Sequence, residues 1–87
     1  MQSAKTSDEK LVRRMLEEKV KTTYPYRIEV GKDHSGDRAL WIIFAVPPKD
    51  ANSSAAAKKL RLLGERVQRA ALDMPIHRWP YIRFEAA

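Results

Sequence analysis

Apolar residues recur along this chain with a period that switches between helical and extended spacing, and the switches mark its elements. Leu11, Val12, Met15, Leu16 and Val20 return on one side at helical intervals, while Arg13, Arg14, Glu17, Glu18 and Lys21 take the other. Upstream, Thr6 and Glu9 have the spacing of a capping box, and Asp8 and Glu9 put negative charge at the positive end of a helix dipole. A first helix is predicted, supported by Arg14–Glu18 and Glu17–Lys21 pairs and ended by Thr22, Thr23 and Pro25.

The period then falls to two. Tyr26, Ile28 and Val30 alternate with Arg27 and Glu29, the signature of a half-buried strand. Residues 31–37 are polar and contain Gly31 and Gly36, which reads as a hairpin loop. Residues 39–46 are an unbroken apolar run of strand length, as expected of a strand buried on both faces or meeting another molecule on one, and Pro47 and Pro48 stop it. Cap candidates between Asp50 and Ser54 precede a long helix to about Leu72, with Ala56, Leu60, Leu63, Val67, Ala70 and Met74 as its buried stripe. Gly64 lies mid-helix, where it costs about 1 kcal/mol against alanine and marks a close helix–sheet or helix–helix approach. Pro75 closes the helix. Residues 76–85 form a last strand, and Pro80 within it predicts an edge position, because proline donates nothing to the ladder.

This order predicts an α+β domain, a two-layer αββαβ sandwich with a three-stranded mixed sheet. The 39–46 strand is central, with an antiparallel hairpin partner on one side and a parallel strand on the other, reached by a right-handed crossover. Both helices are expected on one face. At 87 residues there is room for one domain, assigned to residues 7–85, with residues 1–6 expected to be a disordered amino-terminal segment. Size scaling puts about two-thirds of the chain's surface out of water, enough for a marginal core.

Strand parity then assigns faces. Leu40, Ile42, Phe44 and Val46 suit the helices, together with Ile82 and Phe84. The other face collects Trp41, Ile43, Trp79, Tyr81, His77, Arg83 and Arg27. Large aromatics offer on the order of 150–250 Å² each, so this face exceeds the apolar patch a monomer usually shows. Three occupants compete: a protein, whether another copy or a different partner; single-stranded nucleic acid; or a segment of the same chain. Interface cores favour Trp, Tyr and Arg.

Charge sharpens the choice only partly. Seventeen Lys and Arg stand against eleven Asp and Glu, a net of +6 with an isoelectric point near 9.9. Such a balance favours acidic partners, and Lys58, Lys59, Arg61, Arg66 and Arg69 of the second helix are candidate phosphate contacts. The central strand, however, lacks the glycine and aromatic spacing of an RNA-recognition motif, and there is no Gly-x-x-Gly clamp. Without cysteine there is no disulfide or thiolate site, and no apolar run approaches the ~18 residues of a membrane span. A cytoplasmic protein without cofactor, metal or membrane partner is expected. Asp33, His34, Ser35 and Asp37 cluster in the hairpin loop, but neighbours on a short loop diverge rather than converge on a substrate, so no catalytic residue is assigned. His77 reads as an interface or surface histidine.

Ser35-Gly-Asp-Arg-Ala-Leu-Trp-Ile-Ile43 and Arg78-Trp-Pro-Tyr-Ile-Arg-Phe84, with the Tyr26-Arg-Ile-Glu-Val30 strand, resemble a group of small uncharacterised bacterial proteins. The likeness spans about residues 8–85. It implies a small accessory protein encoded beside a partner gene, as in toxin–antitoxin-like pairs, and assigns no residue a role. The element order is also similar to that of ring-building modules of secretion systems, a fold-level analogy. The expected function is a non-enzymatic interaction or self-associating module using the aromatic face; the alternative is a domain binding RNA or single-stranded DNA.

Overall fold

A computed structural model describes residues 4–87, with side chains from Asp8 onward. Helix α1 is Ala4–Met15 and continues into a π-helical turn, Leu16–Val20. Strand β1 is Tyr26–Lys32, β2 is Arg38–Val46, α2 is a single turn at Pro48–Ala51, α3 is Ser54–Leu72, and β3 is Trp79–Ala86. The sheet order is β1-β2-β3, with β1 antiparallel and β3 parallel to the central β2. The α+β class and the mixed three-stranded sheet are as the hydrophobic pattern predicts.

Val12, Met15, Leu16 and Val20 from the amino-terminal helical segment pack with Val67 and Ala71 of α3 against Leu40, Ile42 and Phe44 of β2. Phe44 is fully buried, stacked on Phe84 with ring centroids 5.6 Å apart and met edge-on by Tyr26 at 6.0 Å. Gly64 brings α3 onto β3: a Cβ built there would lie 3.4 Å from Phe84 Cε2 and 3.8 Å from Ile82 Cγ2. The mid-helix glycine therefore marks a close helix–sheet contact. Ser53 caps α3, its hydroxyl accepting from the Ala56 N–H at 3.2 Å.

Several boundaries differ from the sequence reading, each for a local reason. Helix α1 starts at Ala4, so Thr6 lies inside it rather than at its cap. Of the segment expected to be disordered, residues 1–3 lie outside the described residues. Asp8, expected to serve the helix dipole, is instead 1 % exposed and accepts the His77 N–H at 2.9 Å. The π-helical turn closes with the Lys21 N–H bonded to the Leu16 carbonyl at 3.0 Å, and Lys21 caps it with φ 53°. The wider turn shifts the i,i+4 register, and among the described residues the ion pair on this helix is Arg13–Glu9 at 3.2 Å rather than Arg14–Glu18 or Glu17–Lys21. Finally, β3 begins at Trp79 rather than residue 76. The Ile76 N–H turns back to the Met74 carbonyl, and the His77 N–H is taken by Asp8, so neither can join the ladder.

Candidate interaction face

The register places residues across the sheet face away from the helices. On β2, Ala39, Trp41, Ile43 and Ala45 point there, since their alternates form the core. Trp41 pairs with Glu29 of β1 and Tyr81 of β3, Ile43 with Arg27 and Arg83, and Ala39 with Gly31 and Trp79. Six of the seven residues assigned to this face from parity therefore meet on it: Arg27, Trp41, Ile43, Trp79, Tyr81 and Arg83. His77 does not; it is exposed in the segment before β3 and outside the ladder.

Two aromatic rings form the centre of the face. Trp41 and Tyr81 lie stacked, centroids 5.8 Å apart and planes 19° from parallel. Gly31 of β1 lies beside the indole, and a Cβ there would make ordinary contact, 3.5 Å from Trp41 Cζ3. The Tyr81 hydroxyl donates to the Asp33 carboxylate at 2.9 Å, which also accepts the Ser35 and Asp37 N–H groups at 2.9 and 3.0 Å. Hydrogen bonding to Tyr81, reinforced by those two amides, holds the Asp33 carboxyl below the usual carboxylate range. The same bond pushes the Tyr81 phenol up. Asp33 is thus the organiser of the hairpin loop and its link to β3, and Gly36 supplies the turn's positive φ of 85°.

Exposure is uneven. Trp79 is 51 % exposed, among the most exposed large hydrophobics. Trp41 and Tyr81 are half-buried, and Ile43 is 1 % exposed, so it offers nothing to a partner in the free chain. Charge on the face is balanced. Arg27 is paired with Glu29 at 2.9 Å and Glu85 at 3.2 Å, and those carboxylates, Glu29 foremost, raise its pKa. Parity puts Glu29 and Glu85 beside Arg27 and Arg83, two negative charges against two positive. Sequence reasoning named only the arginines; alternation along β1 and β3 carried the signal for both glutamates.

The five basic residues of α3 lie elsewhere. Lys58, Lys59, Arg61, Arg66 and Arg69 are exposed, while Gly64, Val67 and Ala71 of the same helix face the sheet side bearing Phe44 and Phe84. The cations and the aromatic pair thus occupy opposite sides of the sheet. No helix of the described residues is long and apolar enough to cross a membrane.

Fold and face together define a small α+β protein with a three-stranded mixed sheet and one amphipathic aromatic face. No protein-family model, curated protein or solved structure matches the chain in comparison.

Proposed function

We propose that this protein is a non-enzymatic interaction module that self-associates, or binds a protein partner, through the sheet face built on Trp41, Tyr81 and Trp79. The observation that carries this is a half-exposed tryptophan beside a stacked Trp41–Tyr81 pair, on a face whose strand positions carry two positive and two negative side chains. Interface centres favour Trp, Tyr and Arg in such surroundings, and a balanced set of charges suits an isologous contact in which Arg83 of one copy meets Glu29 or Glu85 of the next. Phosphate binding would want a cluster of unpaired cations beside the aromatics; of the two arginines there Arg27 is ion-paired, and the five basic residues of α3 lie across the sheet. A setting beside a partner gene, as in toxin–antitoxin-like pairs, is the context the sequence resemblance implies.

Sedimentation equilibrium tests this. The native chain is expected at about twice 10.0 kDa, and Trp79→Ser with Arg83→Glu should return it to the monomer with an unchanged helical dichroism signal. Truncating one such anchor costs on the order of 2 kcal/mol, about 30-fold in dissociation constant. A native chain that stays monomeric at the highest attainable concentration rejects self-association. Salt-sensitive binding of a labelled single-stranded oligonucleotide that Trp79→Ser abolishes would replace it with the nucleic-acid alternative.

A further inference from the structure

A second surface, independent of the sheet face, runs along the seam between the π-helical turn and α3. Two adjoining cavities open there, of about 570 and 360 Å³, and they share Leu62 and Arg66. Their linings from α3, Lys59, Leu62, Leu63, Glu65, Arg66, Arg69 and Ala70, with the C-cap Asp73, fall on successive turns of the helix, and the shared Leu62 and Arg66 join the two cavities into one groove. Fourteen residue steps from Lys59 to Asp73 span about 21 Å of helix.

The floor is apolar and the rim is basic. Val20, Leu63, Ala70 and Met74 lie at the bottom, and Leu62 stands 51 % exposed in the middle. Lys19 and Lys21, presented by the π-helical turn and its left-handed cap, face Lys59, Arg66 and Arg69 across the seam. Among the described residues none of these five cations is ion-paired. The acidic lining residues are Glu65 and Asp73. One aromatic side chain, Tyr24, lines the groove at one end, with its hydroxyl donating to Asp50 at 2.8 Å; a single ring falls short of the succession of stacking platforms that single-stranded nucleic acid requires.

We propose that this groove docks an acidic amphipathic helix of a partner protein, its leucine-type residues on Leu62 and its carboxylates between the two rows of cations. Two helices with an exposed leucine between them accept a third by the helix-in-groove mode, read as anchors at i, i+3 or i+4, and i+7. Five unpaired cations against two acids select a negatively charged occupant.

The probe is a panel of labelled peptides of about fourteen residues, with leucines on one helical stripe and Glu or Asp elsewhere, followed by fluorescence anisotropy at low salt. Saturable binding with a gain of peptide helicity is expected. Lys59→Glu with Arg66→Glu should weaken it at least tenfold and transfer preference to a charge-inverted basic peptide, and Leu62→Ser should weaken it comparably. These side chains are exposed, so dichroism should show each variant folded. Trp79→Ser should leave binding unchanged, which separates this groove from the sheet face. The proposal is overturned if no acidic peptide in the panel binds, if binding survives both sets of substitutions, or if an oligo-dT strand of equal charge competes at equal or higher affinity.

Discussion

The Tyr81 phenol stacks alongside the Trp41 indole and donates a hydrogen bond to Asp33, so one side chain joins β3, β2 and the hairpin loop. Its pH dependence follows from the two partners. Asp33 is held below its ordinary range in the folded chain, so its contribution is complete above the ordinary carboxylate pKa and is lost as pH falls through the lowered one. Tyr81 is raised, so its contribution is complete below the ordinary phenol pKa and is lost as pH rises through the elevated one. The link thus holds across the neutral range and fails at either extreme. Tyr24 is raised too, by its hydrogen bond to Asp50. A spectrophotometric tyrosine titration should therefore show two late steps in the native chain. Asp33→Asn should bring one of them down, and Tyr81→Phe should delete it. An unaltered profile in both variants means that the contact does not form.

At the scale of elements, α3 and β3 are spaced by one missing side chain. Gly64 has an ordinary helical environment, and an added Cβ would touch Phe84 at 3.4 Å, the near edge of normal contact. Gly64→Ala should thus gain most of the ~1 kcal/mol of helix propensity, raising the thermal midpoint by roughly 4–8 °C. Gly64→Leu must displace Phe84 from its stack on Phe44 and should lose about 1–3 kcal/mol. Urea denaturation distinguishes the two, and a destabilised alanine variant would show that α3 cannot shift by even a few tenths of an ångström. Position 64 was legible beforehand, as were the strand parity, the cap zone of α3 and the edge placement of Pro80, because each rests on local backbone geometry or strict alternation. What stayed hidden depends on distant partners. Nothing near Ile76 announces that Asp8, 69 residues before His77, will capture the next amide. Nor does residue 78 reveal that its guanidinium will bond the Gly31 and Ala39 carbonyls at 2.7 and 3.2 Å, pinning the start of β3. The π-helical turn is similarly invisible, since Leu16 and Val20 are buried as an α-helix of that pattern would bury them. On the face itself, parity grouped the aromatics correctly, whereas the burial of Ile43 emerges only once its neighbours on both strands are in place.

Across the whole molecule, Val12, Met15, Leu16 and Val20 of the amino-terminal helical segment and Val67 and Ala71 of α3 cluster with Leu40, Ile42 and Phe44, and under the proposed function the opposite face of the sheet is completed by association. A chain of this length holds only about 0.05–0.15 kcal/mol of stability per residue, so whatever covers Trp79 and the Trp41–Tyr81 pair adds a large fraction of the total. Under self-association that contribution follows mass action and should appear in thermal unfolding. For a dimer that unfolds as a unit, tenfold more protein is worth about 1.4 kcal/mol against an unfolding entropy of about 2.1 cal/mol/K per residue over both chains, which raises the midpoint by up to roughly 4 °C. The native protein should show this slope in calorimetry over two decades of concentration. Trp79→Ser with Arg83→Glu should flatten it without altering the limiting midpoint of the monomer, because both side chains are exposed in the free chain. The acidic-helix groove lies on the far side of the sheet from these residues, so a saturating peptide should raise both curves equally and leave their slopes intact. A flat native curve would remove the second copy as the occupant of the aromatic face, while a peptide that changed the slope would show that the two surfaces are not independent.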